Sequence, residues 1–129
     1  MTHAVEFDRV TKRFGDRVAL DDITLAIPRR SIVGLLGRNG SGKTTLLRHI
    51  TGLYLPTSGT CRTLGVDAAQ LGAQELTRIG VVTQHATLLG WMRVRQLVRY
   101  VASFYRSWDS DLEQHLIGTL DIDEQARVG

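Results

Sequence analysis

The first third of the chain alternates apolar and polar residues with a period of two. Val5 and Phe7 alternate with polar neighbours, and the same period returns over residues 23–27. We therefore predict two strands, and the turn chemistry of Gly15-Asp16 between them predicts an antiparallel hairpin. The continuous apolar run at residues 32–36 is typical of a central parallel strand that is covered on both faces.

Helical spacing first appears soon after this run and predicts a first helix, which Gly52 is expected to end. Further on, short strands are predicted over residues 60–64 and 79–82, with a weak helix interrupted at Gly72 between them. The residues that share one face of the first helix are Leu46, Leu47, Ile50 and Leu53.

The chain changes from strand-rich to helical near residue 90. Ser110 and Glu113 have the spacing of a capping box and predict the start of a second helix in this part. The sequence therefore predicts a single domain in two parts, residues 1–90 and 91–129. The apolar positions with helical spacing are Val94, Leu97, Val98, Val101 and Phe104, and then Leu112, Leu116 and Leu120.

A glycine-rich loop lies between the predicted central strand and the first helix. It fits the pattern G-x-x-x-x-G-K-[ST], whose glycines let backbone N–H groups turn inward around a phosphate. Lys43 supplies a charge for the outer phosphates, and the Thr44 hydroxyl is a hard oxygen ligand for Mg²⁺. The alternative is a plain turn, which the four fixed positions in a strand–loop–helix setting disfavour. The loop residues are Gly37, Arg38, Asn39, Gly40, Ser41, Gly42, Lys43 and Thr44.

Composition narrows the classes of function. Apolar residues make up 43% of the 129 residues and charged residues 22%, as in an ordinary globular domain. The formal net charge is +3, and the positive residues are scattered along the chain. This balance suits an anionic ligand without requiring nucleic acid. Cys61 is the only cysteine, so an internal disulfide is excluded. The histidines at 49, 85 and 115 lack metal-ligand spacing and are interpreted as surface or packing residues.

Several stretches, in one order, resemble the N-terminal half of an ATP-binding-cassette ATPase, the nucleotide-binding subunit of ABC transporters. Residues 13–15 and 18–23 look like the family's A-loop and second strand. Residues 36–46 are similar to its Walker A motif, 55–59 to the following turn, and 79–84 to the strand leading into its Q-loop. Three departures remove no required function: Phe14 replaces a frequent Tyr, Arg30 a common turn Gly, and Thr83 a frequent Pro.

The resemblance implies an α/β fold, with a P-loop NTPase core, an N-terminal antiparallel β part and the start of a helical subdomain. It implies ATP and Mg²⁺ as cofactors, with Phe14 stacked on adenine and the loop through Thr45 around the phosphates. Thr44 would be a Mg²⁺ ligand, and Gln84 would be a ligand of Mg²⁺ or of the attacking water that also senses what is bound beyond it. Trp91 and Met92 would face a groove for the membrane partner, although they could equally cap the helical part's own core.

The expected function is the energising subunit of a transporter, at the cytoplasmic face of the cell membrane. Its partners would be a transmembrane subunit and a second ATP-binding subunit, with no nucleic acid. The family's signature motif, Walker B carboxylates and switch histidine are not found in the 129 residues. We therefore expect a piece of a longer protein that binds ATP without hydrolysing it. The alternatives are a non-catalytic regulatory fragment and a soluble ABC-type ATPase acting on nucleic acid or ribosomes.

Overall fold

The computed structural model describes residues 2–85 and 88–129. They divide into two compact units, Met1–Ile79 and Gly80–Gly129. The boundary that the sequence predicts near residue 90 falls within the second unit, and it stays a prediction. Each unit is therefore taken by itself.

The first unit is built on a long β-hairpin. Strand β1, His3–Phe14, pairs antiparallel with β2, Arg17–Pro28, so the predicted hairpin is confirmed. The turn between them needs a residue with positive φ, which Gly15 supplies at 59°. Val5 and Phe7, which belong to the alternation seen in the sequence, are buried, and so are Val10 and Leu20.

Both strands of the hairpin contain a bulge that a threonine closes. The backbone N–H of Arg9 donates to the Thr24 hydroxyl at 3.0 Å, and that of Asp22 donates to the Thr11 hydroxyl at 3.0 Å. Arg9 and Asp22 both have positive φ, and the register shifts nearby. The side-chain hydroxyls thus satisfy backbone donors that the irregular ladder would leave unpaired.

Two shorter strands complete the sheet of the first unit. Strands β3, Ser58–Thr63, and β4, Val66–Asp67, give the antiparallel order β2-β1-β3-β4, and the strand predicted over residues 60–64 is confirmed. A Cβ at Gly59 would lie 2.2 Å from the Arg9 carbonyl oxygen, so only glycine allows this crossing of β1. The weak helix predicted next is observed as a 3₁₀ turn, Ala68–Gln70, and a short α2, Ala73–Leu76.

The helix predicted after the loop is observed as α1, Lys43–Ile50. Its Leu46 is buried against the sheet, together with Cys61 of β3. The predicted apolar face is wrong in part, because Leu47 and Leu53 are more than half exposed. His49 is fully buried in their place and is therefore a packing residue.

Two predicted strands are wrong. Residues 32–36 and 79–82 have no strand structure, and Ile32, Leu36 and Val82 are almost completely exposed. A strand needs neighbouring strands to accept its backbone hydrogen bonds. Within residues 2–85 and 88–129, no strand pairs with either segment. These segments have the apolar composition of buried strands, but none of the described strands pairs with them.

The second unit is helical, as the sequence predicts. It contains α3, Val94–Ala102, and α4, Ser110–Thr119, and none of the helices described is long and apolar enough to span a membrane. The predicted Ser110 cap is wrong: the Asp109 carboxylate accepts the Leu112 N–H at 2.8 Å, while Glu113 accepts from the Trp108 indole N–H. The apolar faces of the helices line one groove through Leu97, Val98, Val101, Leu112, Leu116 and Leu120.

Candidate functional site

The glycine-rich loop curls back on itself immediately before α1. Its Ser41 N–H donates to the Arg38 carbonyl at 3.1 Å, which closes a tight turn. Gly40 and Gly42 have φ values of 79° and 98°, conformations that favour glycine. The loop side chains between residues 37 and 41 are exposed, so solvent reaches this turn freely.

Two glycines of the loop have close neighbours, and at Gly42 the backbone contact and the positive φ require glycine. A Cβ at Gly42 would lie 2.5 Å from the Ala19 carbonyl oxygen, which places the loop directly against β2. A Cβ at Gly37 would lie 2.6 Å from the Ser41 hydroxyl, inside the curl of the loop itself. The glycine pattern is therefore explained by local packing as well as by any ligand.

Lys43 directs its ammonium group into this curl. Its Nζ donates to the carbonyl oxygens of Gly37 at 2.6 Å and Arg38 at 2.8 Å, and lies 3.5 Å from the Ser41 hydroxyl. No carboxylate among the described residues forms an ion pair with it. The loop thus holds a positive charge that only neutral carbonyls stabilise, an arrangement suited to an anion.

The N-terminus of α1 points its own donors at the same place. The first helical hydrogen bond runs from the Leu46 N–H to the Gly42 carbonyl at 2.8 Å. No side chain caps this end of the helix, and its first turn contains no acidic residue. The N–H groups of the first turn therefore stay available, and the helix dipole adds positive potential at the loop.

Phe14 ends β1 close to this loop. It pairs with Arg17 of β2, and the Ala19 carbonyl that Gly42 contacts lies two residues further along the same strand. Two strand residues span about 7 Å. Phe14 is 43% exposed. An aromatic surface and the phosphate-type loop therefore share one end of the hairpin, as the resemblance implies.

The other predicted site residues lie in the second unit. Gln84 is exposed in a turn, Trp91 is 68% exposed, and Met92 is partly buried with its carbonyl accepting the Val128 N–H at 3.0 Å. Trp91 thus does not fill the core of its own unit. The roles expected for these three residues stay predictions.

Three side chains around Phe14 were not singled out from the sequence. The Lys12 ammonium lies 5.1 Å from the centre of the Phe14 ring, and the Tyr54 ring packs against it with centroids 5.3 Å apart. Arg48 donates to the Tyr54 hydroxyl at 2.6 Å. The only signal in the sequence is an aromatic residue soon after α1 and a lysine two positions before Phe14, neither of which is specific.

One polar atom beneath the site has no partner. The His49 Nδ1 is 2.7 Å from the Thr45 carbonyl oxygen, which can only accept, so Nδ1 is the donor. The other ring nitrogen, Nε2, is buried and makes no hydrogen bond in the described structure. The ring instead packs between Phe7 and Tyr54, at centroid distances of 6.4 and 6.1 Å.

The chain is similar in sequence to known proteins of one family. The sequence matches the ABC transporter family over residues 20–128. It is 37% identical over 101 residues to the probable multidrug ABC transporter ATP-binding protein YbhF of Escherichia coli K12, covering 78% of this chain and 18% of YbhF. It is 42% identical over 100 residues to the sulfate/thiosulfate import ATP-binding protein CysA of Mycobacterium bovis, covering 78% of this chain and 28% of CysA.

A solved structure shows the same fold. The dimeric ATP-binding cassette MJ0796, in a post-hydrolysis state bound to ADP and Pi, superposes with a TM-score of 0.75 at 25% identity. The match covers 96% of this chain and 61% of that one. The fold is therefore that of an α/β P-loop NTPase.

The match to the family places this chain among ATP-binding proteins with a P-loop. It belongs to the ABC transporter family, as part of an ATP-binding domain. The chain spans less than a third of the length of the two curated relatives. Phe14 and Lys12 precede the matched residues, so the family match does not extend to their roles.

Proposed function

We propose that this chain supplies the ATP-binding loop of a transporter's energising subunit, in which ATP binding and hydrolysis drive substrate movement through a membrane partner. The observation that carries the proposal is the Lys43 ammonium, held by the carbonyls of Gly37 and Arg38 beside an uncapped helix N-terminus. A cation that binds only neutral oxygens gains a stronger partner when a phosphate arrives.

The chemistry of the loop favours the outer phosphates of a nucleotide. Phosphate oxygens would replace the carbonyls of Gly37 and Arg38 as acceptors for Lys43, while N–H groups of the first turn of α1 bind the same phosphates. AMP lacks the phosphates that this set of donors would contact. The site should therefore prefer ATP over AMP.

Mg²⁺ fits the residues at the start of α1. Thr44 is exposed in the first helical turn, where its hydroxyl oxygen can act as a hard ligand. Gln84, which lies in the second unit, stays a proposed ligand on the resemblance alone. When bound, Mg²⁺ would neutralise negative charge on the phosphates. Thr44 would hold the ion, while the loop and Lys43 bind the phosphates.

The proposed partners follow from the family and from the relatives. YbhF and CysA are named as transporter ATP-binding proteins, and MJ0796 is dimeric. We infer a second ATP-binding subunit and a transmembrane subunit, with the exposed Trp91 and the neighbouring Met92 as contacts for the latter. Such an assembly would place the chain at the cytoplasmic face of the membrane.

Titration calorimetry with Mg-ATP tests the phosphate loop. Charged hydrogen bonds contribute roughly 1.5–3 kcal/mol, so Lys43→Ala should weaken ATP binding by about 10-fold or more. Arg78→Ala, which removes an exposed positive charge elsewhere in the first unit, is the matched control and should bind as the parent does. Equal affinity in the parent and in Lys43→Ala would refute the proposed site.

An ATPase assay tests whether this chain binds ATP without hydrolysing it. The Walker B glutamate and the signature loop that the family uses are not found in these 129 residues. We therefore expect no steady-state phosphate release from the purified chain, even when ATP is bound. Release that Lys43→Ala abolishes would show that a residue of this chain has been overlooked as the catalytic base.

A further inference from the structure

The side chains behind Phe14 form a cluster that neither the family match nor the sequence motifs explain. We define the Phe14 support as Lys12, Arg48 and Tyr54. The two rings meet nearly edge to face, with centroids 5.3 Å apart and an interplanar angle of 67°. This geometry is the favoured one for aromatic pairs.

Lys12 is fixed between the two rings. Its ammonium lies 5.1 Å from the Phe14 centroid and 5.7 Å from that of Tyr54, and it donates to the Leu55 carbonyl at 2.8 Å. A lysine held by a carbonyl and two rings is not free to reach a phosphate. It acts instead as a tie between the end of β1 and the segment that follows α1.

Tyr54 is held in turn by α1. Arg48 of the helix donates to the Tyr54 hydroxyl at 2.6 Å, its guanidinium carbon lies 5.2 Å from the Tyr54 ring centre, and the Tyr54 N–H donates to the Arg48 carbonyl at 3.1 Å. The helix that begins in the glycine-rich loop thus also fixes the support for Phe14. One rigid element connects the phosphate end of the site to the aromatic end.

We propose that Lys12 and Tyr54 are positioning residues for the base of the nucleotide. Lys12 lies over the Phe14 ring and Tyr54 makes a T-shaped contact with it, while 43% of Phe14 stays exposed for contact with a purine. The proposal rests on the proposed nucleotide site. Preorganising the ring lowers the entropy cost of stacking, so affinity for the base depends on the support even though the support does not touch it.

The test compares ATP with inorganic tripolyphosphate, which carries the phosphates without a base. An edge-to-face pair and a cation–π contact are of similar strength, so Tyr54→Leu and Lys12→Met should each weaken ATP binding by about 2- to 10-fold. Tripolyphosphate affinity should not change in either variant. Tyr54→Phe keeps the ring but loses the hydrogen bond from Arg48, so its ATP affinity should lie between those of the parent and Tyr54→Leu.

A double-mutant cycle separates positioning from general loss of structure. In the Phe14→Ala background, Tyr54→Leu should have no further effect on ATP affinity, because the ring that it supports is gone. Thermal melting of each variant by circular dichroism checks that the first unit remains folded. Phe14→Ala alone should weaken ATP binding, and Phe14→Tyr should be close to neutral.

The outcomes distinguish this inference from the proposed function. Loss of tripolyphosphate binding in Tyr54→Leu, or an equal ATP loss with and without Phe14, would overturn the support. Unchanged ATP affinity in Phe14→Ala, with affinity still lost in Lys43→Ala, would overturn the support while the phosphate loop stands. Unchanged affinity in Lys43→Ala would remove the nucleotide site altogether.

Discussion

Arg30 adopts a backbone conformation that suits glycine. Its φ is 57° in the turn after β2, where L-residues are strained, and its side chain is exposed. The left-handed region costs a non-glycine residue roughly 1–2 kcal/mol. A substitution to glycine removes this strain, but part of the gain is offset because glycine raises the entropy of the unfolded chain. The turn is therefore the physical reason why glycine, the residue that the resemblance implies here, would suit this position.

We predict that Arg30→Gly stabilises the first unit by about 0.5–1 kcal/mol. Arg30→Ala is the matched control, because it removes the same charge but keeps a Cβ in the strained conformation. The measurement is urea unfolding followed by circular dichroism. Equal stability of the two variants would mean that the charge, and not the backbone, is what matters at this turn.

Cys61 is a second residue whose environment makes a prediction. Burial raises the pKa of its thiol from an ordinary 9.0 to about 11, with the Asp67 carboxylate adding to the effect, while a hydrogen bond with Thr63 lowers it. The folded thiol therefore stays protonated where an unfolded thiol ionises. Its contribution to stability is complete below about pH 9 and is lost as the pH rises towards 11.

At pH 8 we expect Cys61 to react with a disulfide reagent only after unfolding in urea, because the thiolate is the reactive species and the sulfur is buried. The double variant Cys61→Ala/Ser31→Cys provides an exposed control thiol that should react at once. Between pH 9 and 11, Cys61→Ala should lose less stability than the parent. Fast labelling of the folded parent would contradict the burial of Cys61.

At the scale of elements, the sequence predicts a buried strand over residues 32–36, whereas the structure has no strand there. In the structure Ile32 is fully exposed, so Ile32→Lys should leave the melting temperature unchanged and should reduce self-association. Val10→Lys is the contrasting control, since Val10 is fully buried and a charge there should unfold the first unit. Strong destabilisation by Ile32→Lys would mean that this segment pairs as a buried strand.

The elements that the sequence predicted well are those whose partners are close in the chain. The β1–β2 hairpin needs only its own alternation and the Gly15-Asp16 turn, and α1 needs only its spacing and the loop before it. Residues 32–36 carry the composition of a central strand, but composition cannot show whether neighbouring strands are present. That is why the prediction failed there.

Within the candidate site, too, the sequence predicts the residues of a contiguous motif but not the contacts between distant residues. The loop from Gly37 to Thr44 is a contiguous motif, so its residues could be named in advance, and the structure brings Lys43 into its curl. The contact between Phe14 and Tyr54 joins residues far apart in sequence and involves no motif. Buried His49 was likewise hidden, because a histidine on a helix face has no pattern of its own.

At the scale of the whole molecule, both units expose large apolar side chains. Ile32 and Leu36 of the first unit and Val82 of the second are almost completely exposed. Exposed apolar segments without strand partners favour association with other chains.

We therefore expect this chain by itself to be marginally stable or prone to aggregation. Domains are stable by roughly 5–15 kcal/mol, and the small buried core around Phe7, Val10 and Cys61 must offset the exposure of these apolar segments. Calorimetry and size-exclusion chromatography of the purified chain should show a broad, low transition or self-association. A cooperative transition well above about 60 °C from a monomer, at the top of the range of ordinary mesophile domains, would contradict this expectation. It would mean that residues 32–36 find strand partners within the chain after all.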